Sequence, residues 1–256
     1  MVKAFSGCEK LFLVSTPRIE MDFNNASHGY GREKHHFAAI DAALKAGVEH
    51  FYYTRLAFGS ESEAGVMQAH LRTETYLKGL KGVKYTITRE GLYNESWPLY
   101  LGYYHGLMKD DRSEVMVAGD GPISWTSIRD LGLAAALVVV DGSGKYEGKT
   151  LYLSAPTTRT LRDVARVVSE VKGREVEVKI VGRDEYMEHC FRMGKDRASV
   201  KWWVSSYKAL SELLDARGVK PKPTEETLRR CWLLRKNSLI ARPTNYSVQI
   251  SVSLAG

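Results

Sequence analysis

Glu33-Lys-His-His-Phe37-Ala-Ala-Ile40-Asp-Ala-Ala43-Leu44-Lys-Ala-Gly47-Val48-Glu-His50-Phe51-Tyr52-Tyr53-Thr54 is the stretch that decides the fold class of this chain. Phe37, Ile40 and Leu44 recur at the spacing that lays them along one face of a helix. Gly47 stands where such a helix ends in a left-handed turn, a conformation glycine adopts without a Cβ clash. Val48 to Thr54 follows at once, rich in the aromatic residues that suit a strand. A helix running directly into a buried strand is half of a strand–helix–strand unit.

The same alternation extends in both directions. Lys10-Leu-Phe-Leu-Val-Ser15-Thr16-Pro17 is a short apolar run closed by hydroxyl residues and proline, which predicts a buried strand ending in a loop. Residues 18–31 are polar and rich in Gly and Asn, a loop. Downstream, the pattern predicts a helix over Met67–Leu80 and strands over Lys84–Thr88, Lys149–Ser154 and Glu175–Val181. An Ala-rich helix is expected over Asp130–Val140, and another over Leu161–Lys172, capped by Thr160 and stopped by Gly173. Strands alternating with helices predict an α/β fold with a mostly parallel sheet flanked by helices. Beyond Gly182, helices are expected over Asp184–Met193 and Val200–Leu214, the latter placing Trp202, Trp203 and Tyr207 in the core. From Asn237 on, the Ser/Thr/Asn-rich sequence alternates weakly through Val248, Ile250 and Val252 without an evident partner, and a tail that packs little is expected.

Composition narrows the function classes. The chain has 256 residues, 44% of them apolar and 26% charged, the profile of a globular domain with a small appendage. Cys8, Cys190 and Cys231 are odd in number and widely spaced, so neither a disulfide framework nor a zinc signature is expected. No run reaches the ~18 apolar residues of a membrane span, and the N-terminus lacks a signal-peptide pattern. Cytoplasmic residence and no membrane contact are the expectations. The net charge is +7, but Arg229, Arg230, Arg235, Lys236 and Arg242 lie in the last 30 residues, which hold no Asp or Glu. The body of the chain is therefore close to neutral, and no nucleic-acid partner is expected.

Open parallel sheets bind ligands beyond the C-terminal ends of their strands. Here those ends are Ser15-Thr16-Pro17, Thr54-Arg55-Leu56 and Arg89-Glu90-Gly91-Leu92-Tyr93, all polar or glycine-containing. Phosphate-loop motifs are poorly matched. Gly142 to Thr150 has Ser143 where the first glycine belongs and leads into a strand, whereas a phosphate cradle needs a helix start. Gly29-Tyr-Gly31 precedes a helix, but Lys34 stands at the third glycine position. Tyr30 and Lys34 match Tyr-x-x-x-Lys, a spacing expected about once by chance in a chain this rich in tyrosine. His70, at the start of the helix after Thr54, is a candidate acid/base group, with a packing role as the alternative. The histidines show no metal-ligand spacing, and no metal is expected.

Taken together, Ala42 to Thr54, His70-Leu-Arg-Thr73-Glu74-Thr-Tyr-Leu77, Tyr85 to Glu95, Gly119-Asp-Gly121 and Arg129-Asp130 come in the order found in NmrA-like proteins. The resemblance spans about residues 4–225 and is strongest to fungal NmrA-like oxidoreductases of secondary metabolism. These are atypical short-chain dehydrogenase/reductase proteins. The resemblance implies a Rossmann-like fold over residues 1–154, a smaller substrate-side region over 155–232 and a basic tail over 233–256. It further implies an NAD(P)H-dependent oxidoreductase using NADP or NAD on a small metabolite. Ser15, Thr16 and Thr54 would face the cofactor, and Gly91, Tyr93 and Asn94 would lie by the nicotinamide and substrate, with His70 and Tyr93 as the catalytic candidates. The chain starts near the family's fourth strand, so the Gly-rich pyrophosphate loop is absent from the match and the first strand is expected to present an open apolar edge that suits a protein partner. Glu74 stands where one branch of the family has a catalytic lysine. The alternatives are a non-catalytic regulator or an inactive truncated paralogue.

Overall fold

The computed structural model describes residues 1–58, 62–103, 106–212 and 251–254. A short helix α1 (Val2–Phe5) leads into β1 (Lys10–Leu13), followed by α2 (Glu33–Lys45), β2 (His50–Leu56), α3 (Gly65–Gly79) and β3 (Lys84–Glu90). Then come α4 (Trp97–Leu101), β4 (Glu114–Val117), α5 (Ile128–Val140), β5 (Lys149–Ser154), α6 (Leu161–Lys172), β6 (Glu177–Ile180), α7 (Arg183–Arg192), α8 (Arg197–Glu212) and β7 (Ser251–Leu254).

The main sheet has the order β1-β2-β3-β5-β7. Its first four strands are parallel, in the register Leu13↔Tyr53, Thr54↔Thr88 and Glu90↔Leu153. The three strands expected to share a sheet do so. On one face, α2 and α3 bury Ile40, Ala43, Phe51, Tyr53 and Leu77 together. On the other, α5 sets Leu131, Ala134 and Ala135 against Leu153, and Val138 against Tyr52 and Leu151. Each large side chain so buried contributes roughly 1.5–3 kcal/mol by leaving water. Among the described residues no strand pairs with the outer edge of β1, and Phe12 and Val14 are 38% and 58% exposed.

A second, two-stranded parallel sheet pairs β4 with β6. Val115, Val117, Leu161, Val168, Val178, Tyr186, Tyr207 and Leu210 close a core between it and α6, α7 and α8. The smaller unit therefore draws on β4, well before residue 155. Thr160 caps α6 in a full capping box with Asp163, as its sequence predicts.

Ser251–Leu254, inside the tail expected to pack little, pairs antiparallel with β5. The alternating Val252 stretch looked unpartnered because its partner, the free edge of β5, lies about a hundred residues away. Residues 213–250 lie outside the described residues, and so does most of the basic tail.

Candidate functional site

At the C-terminal end of β1 the chain turns through Ser15 and Thr16, and α2 holds that turn by one histidine. The Thr16 backbone N–H donates to Nε2 of His36 at 3.1 Å, and Ser15 Oγ lies 3.3 Å from the same nitrogen. A nitrogen that accepts from a backbone N–H carries no proton, so the hydrogen of neutral His36 sits on Nδ1. From there it donates to Thr73 Oγ1 at 2.8 Å, and the Thr73 hydroxyl donates in turn to the Ala69 carbonyl. Arg32, paired with Asp22 at 2.7 Å, adds a bond to the Thr16 carbonyl.

His70 lies in the same layer. It is buried, and its Nδ1 is 2.9 Å from the Tyr53 hydroxyl. The imidazole is enclosed between α3 and β2, the surroundings of the packing role expected as the alternative to acid/base work. Burial first, and the nearby Arg32 second, hold His70 well below the usual histidine range and lower His36 to about 4. A folded-state pKa below the unfolded one gives stability that is complete above about 6.5 and is lost as pH falls toward 4. For His36 the loss approaches roughly 3 kcal/mol. Glu90, whose carboxyl is raised, acts in the opposite sense between 4.5 and about 7. The difference between wild type and His36→Gln therefore isolates the histidine. Urea melts at stepped pH are expected to show a shallower acid-side decline in the variant, and parallel declines would refute the assignment.

Glu74 on α3 accepts from Arg55 at 2.6 Å, Arg89 at 2.9 Å and Lys78 at 2.6 Å. Arg89 also donates to the Tyr152 hydroxyl at 2.8 Å. Burial works against the Glu74 charge, but the three cations outweigh it and hold the carboxyl below its usual range. Glu74 is thus the counter-ion of a buried arginine pair. That position offers no lysine chemistry.

Beyond β3 the backbone is stitched to a second segment. The Gly91 N–H donates to the Leu153 carbonyl at 2.9 Å, Thr126 N–H to Leu92 at 2.7 Å and Asn94 N–H to Thr126 at 3.0 Å. A Cβ on Gly91 would collide with Thr126 Oγ1 and sit 2.6 Å from the Ser124 carbonyl. The glycine is required by this chain crossing. Thr54 is buried one strand away at the matching register, beside Thr88. Tyr93 is half-buried, with its hydroxyl 3.3 Å from Glu90 Oε2. Asn94 opens onto a cleft of about 560 Å³ whose walls include Trp97, Trp125, Arg159, Asp163 and Val167. A smaller cavity of about 190 Å³, lined by Lys10, His50 and Lys84, lies at the opposite, N-terminal ends of the strands.

The structure thus brings Thr54, Gly91, Tyr93 and Asn94 to one end of the sheet, with Ser15 and Thr16 at the end of the neighbouring edge strand. Glu90, Trp97, Trp125 and Arg159 went unassigned in the sequence reading. Of these, only Glu90 lies in a strand end singled out from the sequence, Arg89-Glu90-Gly91-Leu92-Tyr93.

A parallel α/β sheet with a polar crevice at its C-terminal ends defines the Rossmann-like class. No family model matches the chain. It is 32% identical over 213 residues to an NmrA-like family domain-containing oxidoreductase of Aspergillus flavus, covering 81% of this chain and 65% of that protein. The chain therefore spans just under two thirds of that relative's length. Among solved structures, the Citrobacter triphenylmethane reductase complexed with NADP(H) matches with a TM-score of 0.64 and 27% identity, over 82% of this chain and 69% of that one. The NADPH-dependent quinone oxidoreductase of Escherichia coli complexed with NADPH matches with a TM-score of 0.65 and 25% identity, over 82% and 69%. The chain is thus similar to NmrA-like proteins over about four fifths of its length and shares the fold of these two reductases. Among the described residues no helix is long and apolar enough to cross a membrane.

Proposed function

We propose that this protein is an NADPH-dependent reductase of a small organic acceptor, working in fungal secondary metabolism. The observation that carries the reading is the set of polar residues that the parallel sheet gathers at the C-terminal ends of β1, β2 and β3, next to the Asn94 cleft, in a chain similar to an NmrA-like oxidoreductase. NADP is favoured over NAD because both solved neighbours hold the phosphorylated cofactor. Residence in the cytoplasm is supported by the free thiols of Cys8 and Cys190.

The residues at the crevice fit one end of a dinucleotide. Thr16, Thr54, Tyr93 and Asn94 offer hydroxyl and amide groups suited to a ribose and a nicotinamide. The start of α2 does not fit a phosphate. There the Glu33 carboxylate takes the Gly29 N–H at 2.8 Å and fills the space beside Gly31. That also disposes of the Gly29-Tyr-Gly31 reading. When bound, the nicotinamide supplies the hydride. The protein's part is to hold the Ser15–Thr16 turn through His36 and the Gly91–Asn94 segment through Thr126, and to seat the acceptor in the adjoining cleft.

The test is NADPH consumption with two acceptors drawn from the neighbours' chemistry, menadione as a quinone and crystal violet as a triphenylmethane dye. Binding is followed by nicotinamide fluorescence up to about millimolar NADPH. Oxidation with at least one acceptor is expected, and neither binding nor oxidation would refute the reading. The exposed Phe12 and Val14 at β1 favour a second reading, a non-catalytic interaction protein. A monomer by light scattering that also turns over NADPH counts against it.

A further inference from the structure

In register across the main sheet, Leu56, Glu90 and Leu153 point to one face, where α5 sets Leu131, Ala134 and Ala135 against Leu153 and Tyr93. Packing alone would place a third apolar residue between the two leucines. A carboxyl kept there, 7% exposed, at the strand ends where a parallel sheet takes its ligands, breaks the local rule at the one place where function excuses it. Its side-chain partners are Tyr93, through the 3.3 Å contact, and Thr88. No cation from β2, β5 or α5 is among the groups that set its charge state.

We propose that Glu90 is a proton reserve that acts through Tyr93, so that this protein delivers a proton as well as a hydride and takes acceptors whose reduced form gains an O–H bond. The proposal rests on the reductase reading above. Glu90 is a positioning residue here, and Tyr93 is the group that meets the acceptor.

Burial, opposed only by the Tyr93 and Thr88 hydrogen bonds, pushes the Glu90 carboxyl up to about 7, so a large share is protonated at neutral pH. Burial and the neighbouring Glu90 push Tyr93 up to about 12. A phenolate beside a carboxylate in this dry layer would be two like charges at hydrogen-bond distance. Tyr93 therefore gives up its proton only as Glu90 replaces it. Conversion of a quinone to a hydroquinone consumes one hydride and one proton. The oxygen that gains the electron pair takes the Tyr93 proton, the Glu90 O–H bond breaks as a new O–H forms on Tyr93, and water returns a proton to Glu90. A triarylmethyl cation takes the hydride at carbon and becomes neutral without any proton.

That difference supplies the test. Wild type, Glu90→Gln and Tyr93→Phe are compared on menadione and on crystal violet with NADPH. The expected result is a fall of about 100-fold in the menadione-to-dye rate ratio for both variants, the scale of general acid catalysis. The double variant should fall no further than either single one, because the two groups act as a unit. In wild type the menadione kcat should decline as pH rises through about 7, and Glu90→Gln should lose that step. Apart from turnover, infrared difference spectra should show a protonated carboxyl persisting at pH 6 in wild type and absent from Glu90→Gln. A ratio unchanged in Glu90→Gln, an equal loss on both acceptors, or no such infrared band overturns the proton reserve. Wild type that reduces the dye but not menadione overturns it as well and leaves the reductase reading standing. Wild type that reduces neither overturns both.

Discussion

Glu74→Gln is expected to destabilise the fold by about 3–5 kcal/mol, the cost of leaving a buried ion-pair partner uncompensated. The glutamate bridges Arg55 and Arg89, whose side chains are 0% and 7% exposed, so its charge is shared between two buried guanidiniums. Glutamine keeps the shape and one acceptor oxygen but removes the charge, so two guanidiniums face each other in a layer that water does not reach. Arg89→Met should cost less, because Arg55 and Lys78 still neutralise Glu74. Guanidinium melts of the two variants give the comparison, and a loss below about 1 kcal/mol for Glu74→Gln would show that solvent screens the cluster. The reverse substitution tests the family chemistry directly. Glu74→Lys restores the residue type of the lysine-bearing branch but adds a third buried cation, and it should fail to fold rather than gain activity.

The contrast between Glu74 and Glu90 bears on what the crevice is for. Both are buried glutamates reached from β3, one on each face of the sheet. Glu74 is surrounded by cations and stays ionised, whereas Glu90 meets only hydroxyls and is pushed toward its neutral form. A carboxylate tied to two arginines is a structural fixture. A carboxyl that gains and loses its proton near neutral pH, next to a tyrosine at the strand ends, is suited to chemistry.

These environments explain what was legible in the sequence. Local periodicity and glycine stops located α2, β2, α3, β3, α5, β5 and α6, because each element is long enough to repeat its pattern. The four residues of β4 carry too little pattern to be seen, and their pairing with β6 spans more than sixty residues. The strand-end rule named residues that the fold gathers at one end of the sheet, since it depends on topology alone. The roles of individual side chains were not legible. His70 and Glu90 are both polar residues near a strand end in the sequence. Only the fold shows that His70 is enclosed with Tyr53 and that Glu90 stands between two leucines.

Gly119-Asp-Gly121 shows the same division, and Gly121→Ala is the second large effect expected. The motif has the look of a flexible turn, but α8 lies directly against it. A Cβ on Gly121 would overlap the Leu210 carbonyl oxygen and come within 2.9 Å of its carbon, while one on Gly119 would meet the Tyr207 carbonyl oxygen at 2.8 Å. These obstacles are helix backbone and have no rotamer with which to yield. Between the glycines, Asp120 accepts from the Leu161 N–H at 2.7 Å and the Arg162 N–H at 3.3 Å, so it also anchors the start of α6. Moving the loop to admit a methyl group would break that cap, and moving α8 would open the core around Tyr207 and Leu210. Overpacking of this kind costs about 1–3 kcal/mol, and losing the cap adds about 1 kcal/mol. Gly132 on α5 is the control, because a Cβ there meets nothing within 4 Å. Gly132→Ala should stabilise by up to about 1 kcal/mol through helix propensity. Thermal melts that move the two variants in opposite directions are the expected outcome, and a Gly121→Ala protein as stable as wild type would mean that α8 does not dock on this loop.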